Sequence, residues 1–178
     1  MSAFSDMSRE DLLRVVEMFA KNWLAHDGCW FLAAEDRHGM DEAIELDTQS
    51  WARFAAVEAR RALAFLGLEP GGGLEALAAA LDLRMYAAIN QQHVEWSADH
   101  SRLRFEMDSC RVQSARRRKG LPDFPCKSVG VVEFSTFART VDPRIRTTCV
   151  HCPPDAPEGR CCAWEFVVED AGEAASTG

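Results

Sequence analysis

Apolar residues recur at helical spacing through the first half of this chain and at alternating spacing through much of the second. Leu12, Val15, Val16, Phe19, Trp23 and Leu24 mark one stripe of an amphipathic helix. Ser8 precedes that stripe with Asp11 three residues on, a capping-box arrangement in which Asp stands where Glu or Gln is usual. A turn is expected near Asp27 and Gly28, then a second helix carrying Phe31 and Leu32. A third helix is expected from Asp41, carrying Ile44, Trp51, Phe54, Val57, Ala62, Phe65 and Leu66. Gly67 and the Pro70 to Gly73 run should stop it, and a short Ala-rich helix follows from Leu74 to Leu83.

Beyond residue 83 the period changes. His93 to Trp96 and Leu103 to Met107 alternate apolar and polar residues, and Ala98 to Ser101 between them suits a hairpin turn. Ser128 to Val141 reads as a helix with Val129, Val132, Phe134 and Phe137 available to face a sheet, ended by Asp142 and Pro143. Arg144 to Cys149 and Cys162 to Val168 read as two more strands. The order β-β-α-β-β predicts an antiparallel sheet backed by helices, hence an α+β fold. A helical part over 1–83 and an α+β part over 84–169 form one domain, followed by a disordered tail at 170–178.

Composition narrows the function classes. The chain has 178 residues, 47% of them hydrophobic and five of them tryptophan, enough for one globular core. No apolar run approaches the roughly 18 residues that span a bilayer, so no membrane segment is expected. The opening residues lack a basic stretch followed by an apolar one, which points to a reducing cytoplasm. A net charge of −8 argues against nucleic acid as a partner. Locally the sign reverses: Arg111, Arg116, Arg117, Arg118, Lys119 and Lys127 face only Asp123.

The candidate chemistry is sulfur. Six of the seven cysteines, Cys110, Cys126, Cys149, Cys152, Cys161 and Cys162, fall in the last third. Cys149 and Cys152 form a Cys-x-x-Cys turn, two corners of a tetrahedron, and Cys126 and Cys162 come from separate segments to supply the others. In a reducing compartment such clustering favours a metal over disulfides. Four thiolates favour zinc or an iron–sulfur cluster and disfavour magnesium or calcium. Neighbouring strand residues face opposite ways, and Cys162, sharing a face with Trp164 and Phe166, is expected at the site rather than Cys161. Pro153 and Pro154 stiffen the turn. Cys29 and the aromatic residues Trp23, Trp30, Phe31, Trp51 and Phe54 supply core, or pocket lining in the case of the aromatics.

Cys149-x-x-Cys152, a turn containing Gly159, and Cys162-x-Trp164-x-Phe166 resemble the C-terminal signature of the vinyl-4-reductase-type small-molecule-binding domain. Some members sense aromatic effectors and bind zinc with an additional upstream cysteine, a position that Cys126 matches. Cys149 stands where those sensors carry a glutamate, and the turn between Cys152 and Cys162 is longer here. The stretch from Cys110 to Lys127 also resembles a bacterial family that includes a 2-amino-thiazoline-4-carboxylate hydrolase and a branch of unknown function.

Two functional readings follow. In the first, a metal-binding α+β protein holds a small apolar or carboxylated molecule between helices and sheet, with a homodimer through the N-terminal helices expected by fold analogy. In the second, a hydrolase of a small nitrogen- or sulfur-containing carboxylate uses Cys110 as nucleophile, its thiol activated by neighbouring guanidinium groups, with Arg111 or Arg116 as the anion clamp. Metal-activated water is the other route to hydrolysis. Arg116 to Lys119 otherwise read as a solvated basic turn, and Glu35, Asp36, Asp41 and Glu42 as a solvated helix face.

Overall fold

Helix α1 (Arg9–His38) starts where Ser8 caps it, the serine Oγ accepting from the Asp11 N–H at 3.1 Å. The computed structural model describes residues 4–169, so the tail expected at 170–178 lies outside the described residues. The turn expected near Asp27 does not form: α1 runs straight through Gly28. A glycine inside a helix costs only about 1 kcal/mol relative to alanine. Breaking there would separate Trp23 from Phe31, which both pack against the core from this helix. The chain reverses instead at Gly39, whose φ of 88° only glycine adopts readily.

Helix α2 (Met40–Leu66) folds back along α1, bringing Trp51 and Phe54 against the Trp23 ring. It ends as the sequence predicts. Gly67 is left-handed, and the Leu68 N–H reaches back to the Leu63 carbonyl at 3.0 Å, a Schellman closure. Helix α3 (Gly73–Leu81) is held at its start by the buried Asp142, whose carboxylate accepts from the Gly73 N–H at 3.0 Å. A 3-10 turn (Met85–Ala88) leads into strands β1 (Gln91–Trp96) and β2 (Arg102–Ser109), joined by the expected hairpin.

The next element departs from expectation. Arg111–Arg118 is not a basic turn but a helix, α4, so the order is β-β-α-α-β-β. Helix α5 (Lys127–Val141) and strands β3 (Ile145–His151) and β4 (Cys162–Val168) complete the chain. The four strands form one antiparallel sheet in the order β1-β2-β4-β3. The fold is therefore α+β, five helices against a four-stranded sheet.

Alternation along β2 and β4 buries Leu103, Phe105, Trp164 and Phe166. Helix α5 covers that face with Phe134, Phe137 and Val141, and the Phe134 ring stacks on Trp164 with centroids 4.7 Å apart. Gly130 lies where any Cβ would overlap the Trp164 ring, which is why this turn of α5 has no side chain. Arg84, at the mouth of the 3-10 turn, ties the layers together. Its guanidinium bonds Glu58 of α2 at 2.9 Å and Glu133 of α5 at 2.5 Å. It also lies 5.0–5.6 Å from the ring centres of Trp51, Tyr86, Phe134 and Phe137. No helix among the described residues is long and apolar enough to cross a membrane.

Candidate functional site

A cavity of about 430 Å³ opens between α1, α2, the 3-10 turn, α4 and α5. Leu24 and Phe31 of α1, Trp51 of α2, Tyr86 of the turn and Phe124 before α5 give it mostly apolar walls. Of the five aromatic residues expected as lining, Phe31 and Trp51 line it, while Trp23 and Phe54 pack behind Trp51. Trp30 faces away and is 70% exposed.

One wall carries sulfur: Cys110, Cys126 and Cys162 all reach the cavity. Cys126 caps the N-terminus of α5, Cys149 sits beside a bulge in β3, Cys152 follows β3, and Cys162 opens β4. The fold gathers these four around Cys152, whose thiol interacts with those of Cys126, Cys149 and Cys162. Cys152 is 2% exposed. Cys161 turns the other way, its thiol donating to the Asp108 carbonyl at 3.6 Å.

Proximity sets the thiol acidities. Cys126 is held below the ordinary thiol value, first by donation from Cys152 and then by a backbone N–H and the Gln113 amide. Cys152 is driven well above it, first by sharing its proton with Cys126 and then with Cys162. Gln113 is itself fixed by two bonds to the Phe124 backbone, at 2.8 and 2.9 Å, and its Nε2 stands 3.8 Å from the Cys126 sulfur.

Four thiols without a carboxylate suit zinc or an iron–sulfur cluster. The Trp164 Nε1–H, opposite Cys149 in the strand pairing, is buried with no hydrogen-bond partner, the sort of donor a coordinated thiolate recruits. The thiols are not yet a closed shell. Among the described residues the three metal-type donors within 4.8 Å of one another are His93, Glu106 and Asp108, not cysteines. Zinc–sulfur bonds of about 2.3 Å would draw the sulfurs inward. The His93 group is an ion-pair cluster: His93 bonds Asp108 at 2.8 Å, and Arg104 and Arg160 both occupy Glu106.

The residues expected to carry hydrolysis are placed differently from the sequence expectation. Cys110 lines the cavity beside Arg111, but burial pushes its thiol up to about 12, the opposite of the expected activation. Arg116 is not a free clamp. It grips Glu35 of α1 through two bonds of 2.6 and 2.9 Å and donates to the Pro122 carbonyl, pinning α4 to α1. Glu35 is correspondingly not part of a solvated face. Arg111 makes no ion pair among the described residues and remains available.

Sequence reasoning missed the cavity's acidic side. Asp27 of α1, Asp47 of α2 and Glu133 of α5 all line it. Burial raises Asp27, and it raises Asp47 to about 7, with Asp27 and Glu133 adding repulsion. Burial also raises Glu133, although Arg84 opposes it. A signal existed for Glu133, a charge beside the apolar stripe of Val129, Phe134 and Phe137; Asp27 and Asp47 carry none, because helix surfaces are full of such residues.

Comparison with known proteins adds a family. The model of a family of unknown function (DUF6125) matches residues 5–168, so the chain belongs to that family. No curated protein matches it. A solved structure similar in part is a trafficking protein particle complex subunit 3 from Naegleria fowleri, covalently bound to palmitic acid. The identity is 10%, the TM-score 0.47, and the match covers 91% of this chain and 98% of that one.

Proposed function

We propose that this member of a family of unknown function binds a small organic molecule in the cavity between its helices and sheet, beside a metal centre held by Cys126, Cys149, Cys152 and Cys162. The observation that carries the reading is the junction itself: an apolar cavity of about 430 Å³ whose wall includes two of the four thiols. That volume lies within the range of small-molecule sites, and mostly apolar walls with a few polar groups are what such sites have in common. The resemblance of the cysteine pattern to the vinyl-4-reductase-type domain points the same way. Zinc is the preferred metal and an iron–sulfur cluster the alternative; when bound, the ion would tie the end of β3 to the starts of α5 and β4, and the latter two line the cavity.

A hydrolase of a small nitrogen- or sulfur-containing carboxylate is the second reading, favoured by Cys110 and Arg111 sharing the cavity wall. It ranks lower because a buried thiol pushed up to about 12 is protonated at neutral pH and is a poor nucleophile.

Elemental analysis of anaerobically purified protein tests the metal. One zinc per chain and no colour supports zinc, whereas bound iron with absorbance near about 400 nm supports a cluster. Cys152→Ser should abolish metal retention while Cys29→Ser leaves it intact; retention by the first variant refutes the four-cysteine centre.

A further inference from the structure

We infer that two copies of this chain pair through the N-terminal half of α1, the helices lying antiparallel across a two-fold axis beside Val15 and Val16. None of residues 9–20 lines the cavity. Leu12, Val15, Val16, Phe19 and Trp23 recur at helical spacing along α1. Trp23 ends that run against Trp51 and Phe54. The four residues before it belong neither to the core nor to the apolar side chains packed on it. Leu12 is 38%, Val16 55% and Phe19 52% exposed, and Val15 is half-buried. The Phe4 ring meets Phe19 edge-on, with centroids 6.1 Å apart, and leaves it half open. Leu13 and Met18, to either side of the stripe, are exposed as well.

An apolar stripe on a helix normally faces a packing partner, since most of a helix's stability comes from that contact. The exposed apolar surface of residues 12–19 is on the order of 500 Å² per copy, the size of patch that marks an interaction site. Two copies closing on each other would bury on the order of 1,000 Å² in total, where specific interfaces begin. Residues 1–3 and 170–178, outside the described ones, have Met1 as their one large apolar side chain, too little to cover the stripe.

Charge and order of residues select a second copy as the occupant. The chain carries a net −8, yet Arg9, Arg14 and Lys21 balance Glu10, Asp11 and Glu17 along this segment. On the face opposite the stripe Arg14 pairs with Glu10 at 2.7 Å and Lys21 with Glu17 at 2.5 Å. Two such segments meet without net repulsion, and a strongly charged partner finds no excess charge to grip. The segment also complements itself when reversed. With Val15 level with Val16 of the second copy, Leu12 stands level with Phe19 and Leu13 with Met18. In the same register Glu10 is level with Lys21, Arg14 with Glu17 and Asp11 with Ala20, so no like charges coincide. A parallel pairing would set every charge beside its own copy. One surface that serves both partners in this way is what a two-fold dimer requires.

Light scattering on a gel-filtration column, with the full chain loaded over a concentration series, tests the pairing. The native protein should give twice the chain mass of 19.8 kDa. Val16→Glu places two carboxylates at the axis and should weaken the pair by on the order of a hundredfold, returning the mass of one chain. An unchanged circular dichroism spectrum shows that this variant is folded. Val131→Asp, at an exposed apolar residue of α5, should leave the pair intact. Under mild oxidation in a Cys29→Ser background, Leu12→Cys mixed with Phe19→Cys should give a cross-linked pair that neither gives alone. A native protein of single-chain mass throughout, a Val16→Glu variant that still pairs, or a Val131→Asp variant that dissociates equally overturns the inference. Leu12→Cys cross-linking to itself overturns the antiparallel arrangement.

Discussion

Two groups of acids at or behind one cavity are treated oppositely by the fold. Glu58 and Glu133 converge on Arg84, whose side chain is 3% exposed, so the charges are matched and the guanidinium also packs over four rings. Asp27 and Asp47, which line the cavity beside Glu133, make no ion pair among the described residues, although His26 acts on Asp27. The first group joins α2, α5 and the 3-10 turn and serves stability; the second costs stability when charged, burial raising both acids and repulsion from Asp27 and Glu133 adding to it for Asp47. The difference teaches where to look for a binding site: at the charges a fold leaves unmatched after matching their neighbours.

The comparison breaks hardest at its centre. Arg84→Met should destabilise the protein by about 3–5 kcal/mol, because it strands two buried carboxylates. Denaturant unfolding with an unchanged slope would measure it, and a loss near zero would mean the triad is not structural.

Asp47→Asn should move stability the other way, raising it by roughly 1–3 kcal/mol at pH 8 and by little at pH 4. The sign follows from linkage. Unfolded, Asp47 titrates near 3.9, and folded at about 7, so between those values the folded state holds the extra proton. Its contribution is therefore present below pH about 4 and is lost as pH rises through about 7. Thermal melts of both proteins across that window should converge at the acid end; parallel curves would contradict the raised acidity.

Smaller effects separate two arginines that the sequence grouped together. Arg116→Ala should cost about 1–3 kcal/mol, since it releases the buried Glu35 contact between α4 and α1. Arg117→Ala, which frees an exposed pair with Asp123, should cost clearly less, because solvent screens that pair. Equal losses would mean that α4 is not held through Arg116.

How much was legible depends on whether the signal was local. The Ser8 cap, the Gly67 stop and the alternation of Cys162 to Val168 each reside in a few neighbouring residues, and the structure has them where expected. Helix α4 escaped because Val112 is the one strongly apolar residue among Arg111 to Arg118; the segment has no stripe, and Gln113 and Arg116 bury through hydrogen bonds instead. The apparent break at Gly28 misled because a glycine weakens a helix without ending it when the stripe on either side packs on one partner.

Read alone, the chain determined its four strands and most of its helical stretches, the α+β class and the six clustered cysteines, because period and spacing are properties of neighbours in sequence. Only the folded arrangement decided that burial would keep Cys110 protonated, that Arg116 would be consumed by Glu35, and that Asp27 and Asp47 would line one cavity with no ion pair among the described residues. Those outcomes depend on desolvation and on partners from distant segments, and neither is written in the residues on either side.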